Sequence, residues 1–249
     1  MAALFEDASG RPVPAVTEDL MREVDRVAVE ETGPNLLQMM ENAGRGLALA
    51  ALEMLPRAPD GPVVVLAGVG GNGGGGIAAA RHLANRHYDV LVAVTDEAGL
   101  GDAPAFQLQV YGGTPGGRVS AAELSGLRPV FVIDAVIGYS LRDAPRGAAS
   151  AMIDWANEQE APVLSLDLPS GVDATSGDTP GVHVRADRTL TLALPKTGLV
   201  ASAAGSLLLA DLGIPLATYR KAGVTLDSSP FRAEFTIPLR RVERASDSA

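Results

Sequence analysis

Asp167 is the side chain in this sequence best suited to proton transfer. It follows the apolar run VLSL and precedes Leu-Pro-Ser-Gly. A carboxylate at the end of a buried strand costs free energy unless it is paired, hydrogen-bonded, metal-bound or protonated, and such a group suits a general acid or base. Asp before Leu-Pro-Ser-Gly is also typical of a turn, so a structural role is the alternative. We favour the catalytic role.

A glycine-rich segment predicts a phosphate site. Seven glycines lie between Gly68 and Gly76, after the apolar run VVVLA and before an Ala-rich helical pattern. Glycines let backbone N–H groups approach a ligand closely, and a helix N-terminus favours negative charge. A flexible linker is the alternative, but a linker is not expected between a β-branched run and a helix. We therefore expect a glycine loop that binds phosphate.

Three oxygen-bearing side chains, Asn72, Asp134 and Ser170, lie at or just beyond the ends of three apolar runs. Hard cations prefer oxygen ligands, and one carboxylate with neutral oxygens suits a weakly held monovalent ion. Ordinary hydrogen bonding between loops is the alternative, and the residues alone leave both open. The role of Lys196 is also open, because it could face an anionic substrate or be a solvated loop lysine.

Two other kinds of site fit the sequence poorly. None of the three histidines has a zinc-like spacing to another ligand, and the chain has no cysteine, which disfavours a zinc site. Ser140 and Ser170 have no evident histidine base and no nucleophile elbow, so a serine hydrolase is disfavoured.

The elements that must position these residues alternate between strands and helices. Near-continuous runs of Val, Leu and Ile indicate strands buried on both faces, and helical patterns lie between several of them. This order predicts an α/β fold, a three-layer α/β/α sandwich with a mostly parallel sheet, whose ligands bind beyond the carboxyl ends of the strands. The six predicted strands span 62–67, 89–94, 129–135, 162–168, 189–194 and 206–212. The clearest predicted helices begin at Thr17 and about Asn35, or span 77–86 and 146–158.

Composition and charge narrow the class of protein. The 249 residues carry a net charge of −10, which argues against general binding to nucleic acid or to anionic membranes. No signal peptide is evident, and the long apolar region 190–216 is interrupted by proline and charged residues, so we predict a cytoplasmic protein with no membrane span. We expect a single domain over 1–249 with a core of about 16–226, an irregular lead over 1–15 and a frayed end from about Arg240.

Six segments in order resemble the NAD(P)H-hydrate epimerase family, the YjeF N-terminal domain, from about Thr17 to Pro215. MREVDRVAVEETG is similar to the family's opening helix, and LLQMMENAGRGLA to its L-M-E-N-A-G-R helix. GVGGNGGGGIAAARHL resembles the family's glycine loop, and VIDAVIGYSLR its V-D-A-L-F-G-T-G-L segment. LSLDLPSGVDATSG is very similar to D-I-P-S-G-L-D-A-D-T-G, and VRADRTLTLALPKTGL to the segment that ends in P-K-x-G-L.

The resemblance implies a Rossmann-like fold, a homodimer, and an enzyme that interconverts the R and S epimers of hydrated NADH and NADPH. A separate ATP- or ADP-dependent dehydratase would then restore the S form, and we expect no dehydratase domain within this chain. The family's potassium ion carries over to Asn72, Asp134 and Ser170, one ion per subunit. Asp167 carries over as a substrate-binding residue, and we choose it as the catalytic acid/base. The other substrate-binding positions that carry over are Gly71, Asn72, Gly73, Gly74, Gly75, Gly138, Tyr139, Ser140, Leu141, Arg142, Asp143 and Ala144.

This chain departs from the family pattern in three places. Gly71 and Gly75 stand where the pattern has Asn and Asp, and Tyr139 stands where it has Thr. These departures keep a second hypothesis open, in which a weak or inactive member serves as a nucleotide-binding or protein-interaction module. A dinucleotide-dependent oxidoreductase is a third hypothesis, which depends on Asp96 or Glu97 binding a ribose at the end of the second strand.

Overall fold

The computed structural model describes residues 5–199 and 201–242. Ten strands form one sheet in the order β2-β1-β10-β9-β8-β7-β6-β3-β4-β5. The run from β9 to β5 is parallel throughout, whereas β10, β1 and β2 are antiparallel to their neighbours. The strands are β1 Phe5–Asp7, β2 Pro12–Val13, β3 Val63–Ala67, β4 Val90–Val94, β5 Gly117–Val119, β6 Phe131–Ala135, β7 Val163–Leu166, β8 Arg188–Leu192, β9 Ser206–Ala210 and β10 Thr236–Arg241.

Seven α-helices accompany the sheet within the described residues. Thr17 caps the first helix by accepting from the Leu20 amide, and Asn35 and Gln38 form a capping box at the second. No helix in residues 5–199 and 201–242 has the length and apolarity needed to cross a bilayer. The helices are α1 Glu18–Val27, α2 Leu36–Met54, α3 Gly71–Ala84, α4 Asp102–Tyr111, α5 Gly147–Asn157, α6 Ala201–Ala204 and α7 Leu216–Lys221.

The two faces of the sheet bury different helices. Val63 and Val65 of β3 pack in one apolar cluster with residues of α2, α3 and α4, while Val64 and Leu66 pack in another with residues of α5. This alternation is the period of two that a strand gives to its side chains. The three-layer α/β/α sandwich predicted from the sequence is thereby confirmed, and each of the six predicted strands is present within two residues at either end.

The expectation of an irregular lead over residues 1–15 was wrong for its described part, since residues 1–4 lie outside the described residues. Residues 5–7 and 12–13 form β1 and β2, and Phe5 and Val13 are buried in the core cluster that contains α1. The sheet also continues to Arg241 through β10, so part of the predicted frayed end is an ordered strand. Residues 243–249 of that predicted end lie outside the described residues.

The glycine-rich segment is also more helical than expected. Helix α3 begins at Gly71, so only residues 68–70 connect it to β3. A Cβ on Gly76 would overlap that of Ala135, and one on Gly74 would overlap the Met40 side chain. The absence of side chains at these glycines lets α3 pack close to the sheet and to α2. Close helix packing therefore explains the glycines without a flexible loop.

Candidate active site

A cavity of about 740 Å³ lies beyond the carboxyl ends of β3, β6 and β7. These three strands are consecutive in the sheet, so the loops that follow them meet at one edge. The first loop and the start of α3 contribute residues 69–72, the second contributes residues 136–146, and β7 leads directly to Asp167. Helices α1 and α2 supply another wall, which is largely apolar: Met21, Leu36, Met39, Met40 and Ala43.

Asp167 lines this cavity on a strained backbone. Its φ is +70°, in the left-handed region that non-glycine residues rarely adopt, and its side chain is only about 3% exposed. The Leu192 amide donates to Oδ1 at 3.2 Å and the Thr191 hydroxyl to the same oxygen at 3.4 Å. Among the described residues no hydrogen bond reaches Oδ2. Backbone strain of this kind is typical of functional positions. The hydrogen-bond pattern leaves one carboxylate oxygen free for a ligand.

Lys196 is the charge partner of Asp167. Its side chain is about 1% exposed, and its ammonium group donates to Asp167 Oδ1 and, at 3.0 Å, to the Leu192 carbonyl. This contact and the Leu192 amide both involve Oδ1, so Oδ2 is the carboxylate oxygen that a ligand in the cavity could reach. The alternative of a solvated loop lysine was therefore wrong, because Lys196 lies in the wall of the cavity.

A second acidic group faces the same cavity. The Tyr139 hydroxyl donates to Asp25 Oδ2 at 2.5 Å, and both residues line the cavity. Burial raises the pKa of Asp25 above its ordinary value, although the Tyr139 hydrogen bond acts in the opposite direction. Burial, with Asp25 beside it, also raises the pKa of Tyr139. No local feature of the sequence marks Asp25 as a site residue, because α1 is far from the other site segments along the chain.

Asp134 lies below the cavity floor, fully buried, where it joins β6 and β7. Its carboxylate accepts four hydrogen bonds, two from Ser170, through its hydroxyl at 2.5 Å and its amide at 2.9 Å. The Ser165 hydroxyl donates at 2.7 Å and the Val136 amide at 3.3 Å. Burial raises the pKa of Asp134 above its ordinary value, although the Ser170 hydrogen bonds act in the opposite direction. This network fixes the loop after β6, because the Ser170 hydroxyl also accepts from the Ile137 amide at 2.8 Å.

Asn72 is adjacent to this network and has an unsatisfied group. A Cβ on Gly138, the residue after Ile137, would lie 3.1 Å from the Asn72 Oδ1. The buried Asn72 Nδ2 has no hydrogen-bond partner among the described residues, and turning the amide exchanges its nitrogen and oxygen. No group of three or more His, Cys, Asp or Glu side chains in residues 5–199 and 201–242 is arranged to hold a metal ion. The oxygen-rich donors and the unsatisfied amide fit a weakly held monovalent cation rather than zinc.

The predicted substrate-binding residues divide into two groups. Gly71, Asn72, residues 138–144 and Asp167 all line the cavity. Gly73–Gly75 do not line it: a Cβ on Gly75 would lie 2.8 Å from Leu166 Cδ2, inside the fold. The assignment of Gly73–Gly75 to substrate binding stays a prediction. The first amides of α3 have no intrahelical acceptor, since the first bond of that helix runs from the Gly74 amide to the Gly70 carbonyl.

Three arginine side chains line the cavity although the whole chain is acidic. Arg142 and Arg146 line the cavity, are exposed, and form no ion pair within the described part of the chain. Arg22 lines it as well, with its guanidinium carbon 5.7 Å from the centre of the Tyr139 ring, but it is paired with Glu18. Two free guanidinium groups near a helix N-terminus suit a ligand that carries phosphate.

Known proteins resemble this chain along most of its length. It is 47% identical over 245 residues to the NAD(P)H-hydrate epimerase of Dehalogenimonas lykanthroporepellens, which covers 98% of this chain and 100% of that protein. It is 38% identical over 205 residues to the NAD(P)H-hydrate epimerase of Truepera radiovictrix, and the match covers 82% of this chain and 91% of that protein. The bifunctional NAD(P)H-hydrate repair enzyme Nnr of Salinibacter ruber is 36% identical over 231 residues, which make up 84% of this chain and 42% of that enzyme.

The fold has a solved counterpart as well. The crystal structure of yeast ynu0 matches with a TM-score of 0.77 at 20% identity, covering 91% of this chain and 100% of that one, and this likeness supports the fold alone. The family model described as YjeF-related protein N-terminus matches residues 36–198. With that match and near-full-length identity to a named relative, the chain belongs to the NAD(P)H-hydrate epimerase family, the YjeF N-terminal domain.

Proposed function

We propose that this protein interconverts the R and S epimers of hydrated NADH and NADPH. The observation that carries the proposal is the 47% identity to an NAD(P)H-hydrate epimerase along essentially the whole of both chains. The cavity supports it, because one wall is apolar, the mouth is cationic, and a carboxylate with one free oxygen lies at its base. These features suit a nicotinamide ring joined to phosphates.

Asp167 would begin the reaction as a general base. The substrate carries its hydroxyl on a carbon bonded to the ring nitrogen. Asp167 Oδ2 takes the hydroxyl proton, the carbon–oxygen bond becomes a carbonyl, and the carbon–nitrogen bond breaks with its electron pair moving to nitrogen, which takes up a proton. Closure on the other face of the carbonyl reverses these transfers and gives the other epimer. Lys196 holds Asp167 Oδ1 and so leaves Oδ2 for the first transfer.

The phosphates would lie at the cavity mouth. The first amides of α3, at Gly71 and Asn72, lack intrahelical acceptors, and the helix dipole adds a partial positive charge there. Arg142 and Arg146 would add charge-assisted hydrogen bonds. Positions 71 and 75 differ from the family pattern: Gly71 lines the cavity, whereas Gly75 is buried and is not one of the lining residues.

We also propose that Asn72, Asp134 and Ser170 hold one potassium ion per subunit. The ion would supply positive charge that organises the loops after β3, β6 and β7, while Asp167 does the chemistry. Asp134 already accepts four hydrogen bonds, so the ion would replace the Ser170 hydroxyl proton as one of its partners. The expected result is a higher melting temperature in KCl than in NaCl at equal ionic strength. This difference should vanish in the Asn72→Ala variant.

Three further features of the family are proposed here as well. A homodimer is expected, and light scattering after gel filtration would measure its mass. A separate dehydratase that consumes the S epimer is expected because relatives such as the bifunctional Nnr enzyme join two repair activities in one chain. A cytoplasmic location stays a prediction from composition.

The test of the function mixes purified protein with separated R and S hydrates and follows the isomer ratio by chromatography. We expect the wild type to accelerate epimerisation well above the spontaneous rate. We expect Asp167→Asn to lose about 10²–10⁴-fold, the range that general acid–base groups contribute. An active Asp167→Asn variant would remove Asp167 from the catalytic role. A wild type that binds the hydrate without accelerating its epimerisation would favour the nucleotide-binding module instead.

A further inference from the structure

Tyr139 and Asp25 form a hydrogen-bonded acid pair that takes no part in proton transfer to Asp167. Their oxygens are 2.5 Å apart, and both side chains line the cavity. The Tyr139 ring centre is 5.8 Å from Lys196 Nζ, so this pair and the Asp167–Lys196 pair share one end of the cavity. Nothing in the packing requires an acid at position 25, because the neighbouring positions Met21 and Val24 supply the buried apolar face of α1.

Ring opening needs two proton transfers at different atoms. The hydroxyl loses a proton while the ring nitrogen gains one, and a single carboxylate oxygen can serve only one of these atoms at a time. Asp167 Oδ1 is already occupied by Lys196 and by the Leu192 amide. Only Oδ2 remains for the hydroxyl proton, so the nitrogen needs a second donor.

We propose that Tyr139, backed by Asp25, carries the second proton, donating it to the ring nitrogen as the ring opens and taking it back as the ring closes. This inference rests on the proposed epimerase function. When Asp25 is protonated, its O–H donates to the Tyr139 oxygen, which frees the phenol proton for the substrate. In the step, the Asp25 proton passes to Tyr139 oxygen, the Tyr139 proton passes to nitrogen, and the hydroxyl proton passes to Asp167. Closure reverses all three transfers, so no proton is gained or lost over the cycle.

The surroundings of the pair favour this division of roles. Burial raises the pKa of Asp25, which keeps a proton on it at a higher pH than on an ordinary carboxyl group. Asp167, whose Oδ1 is bonded to Lys196 and to the Leu192 amide, presents Oδ2 to the cavity as the base. Two carboxyl groups that lie in contrasting environments within one site are typical of an acid and a base. The titratable and charged groups that face Asp25 are Arg22, Tyr139, Asp167, Lys196 and Tyr219.

The pair is also a particular feature of this chain. Tyr139 stands where the family pattern in this segment has Thr, whose shorter side chain carries an aliphatic hydroxyl. The phenol reaches from the loop after β6 to Asp25 on α1 and so joins two walls of the cavity. A relay through a phenol would therefore be expected here and not in relatives with Thr.

The experiment measures kcat and KM for R-to-S conversion between pH 5 and 9 in the wild type, Tyr139→Phe, Asp25→Asn and the double variant. We expect each single variant to lose about 10²-fold or more in kcat with KM nearly unchanged. The double variant should lose no more than the worse single variant, because both residues act in one relay. Since Asp25 must be protonated, wild-type kcat should fall as the pH rises through its raised pKa, and Asp25→Asn should lack this fall.

Tyr88→Phe is the matched control, since Tyr88 is a partly buried tyrosine outside the cavity and should keep wild-type kcat. Thermal unfolding of each variant checks that it is folded. Folded variants with kcat within about threefold of the wild type, or an unchanged pH profile in Asp25→Asn, would overturn the relay and leave the proposed function standing. Loss in the double variant equal to the product of the single losses would also overturn it, because independent roles multiply. An inactive wild type would overturn both.

Discussion

Asp167 and Lys196 together show how a buried charge is kept available for chemistry. Both side chains are almost wholly buried, and a lone buried charge is costly, so each depends on the other. The hydrogen bonds to Asp167 all reach Oδ1, while the left-handed backbone turns the side chain toward the cavity. The ion pair therefore gives each buried charge a partner and leaves one oxygen for the substrate.

Replacing only one residue of this pair should lower the free energy of unfolding more than replacing both. We expect Lys196→Met to lower the free energy of unfolding by about 3–5 kcal/mol, because it leaves the Asp167 carboxylate buried without its counter-charge. The double variant Lys196→Met/Asp167→Asn should recover more than about 1 kcal/mol of that loss. Urea denaturation of the wild type, both single variants and the double variant measures the coupling. Additive losses would mean that the two groups do not interact, and we expect no variant in the set to be active.

The residues of the site were predictable to different degrees. Asp167 could be identified from its position after a buried run, since strand ends in a parallel sheet are where ligands bind. Lys196 could be noticed but not assigned, because its burial depends on how the chain after β8 folds back against β7. Asp25 could not be found, since its approach to Tyr139 is set by the packing of α1 against the sheet edge and leaves no mark on the local sequence.

Helix α3 is the element in which expectation and structure differ most. Its glycines suggest a loop because glycine is unfavourable inside helices. The structure instead begins the helix at Gly71 and uses the glycines for close contact, with Gly76 against Ala135 and Gly75 against Leu166. Packing distances of this kind depend on residues more than 50 positions away, so propensity alone could not predict them.

A pair of glycine substitutions in α3 tests this account. Gly76→Ala should lower the free energy of unfolding, because its Cβ would overlap the Cβ of Ala135, an atom fixed to the backbone of β6. Overpacking costs about 1–3 kcal/mol, which exceeds the gain of up to about 1 kcal/mol in helix propensity. Gly71→Ala is the control in the same helix, because nothing lies within 4 Å of its new Cβ, and it should stay within about 0.5 kcal/mol of the wild type. Equal thermal stability of the two variants would contradict the packing role.

For the whole molecule, the buried parallel part of the sheet was predictable and its antiparallel extension was not. Strand β3 is a continuous apolar run and β6 is apolar except for Asp134, whereas β1 and β2 have only three and two residues and β1 contains two acidic ones. Short edge strands resemble loops in sequence because one face and one edge remain open to solvent. The pairing of β1 with β10 joins segments more than 200 residues apart along the chain, since Phe5 lies opposite Arg241.

This extension should contribute to the stability of the whole domain and not only to its edge. Phe5 is fully buried in the same cluster as residues of α1 and α7, so we expect Phe5→Ala to lower the free energy of unfolding by about 3–5 kcal/mol. Phe235, which is 79% exposed just before β10, supplies a control of the same residue type, and Phe235→Ala should change stability by less than about 0.5 kcal/mol. Urea denaturation followed by circular dichroism compares the two. If Phe5→Ala also cost less than about 1 kcal/mol, the strand pair would open independently of the core, and the sheet would be held together by its parallel strands alone.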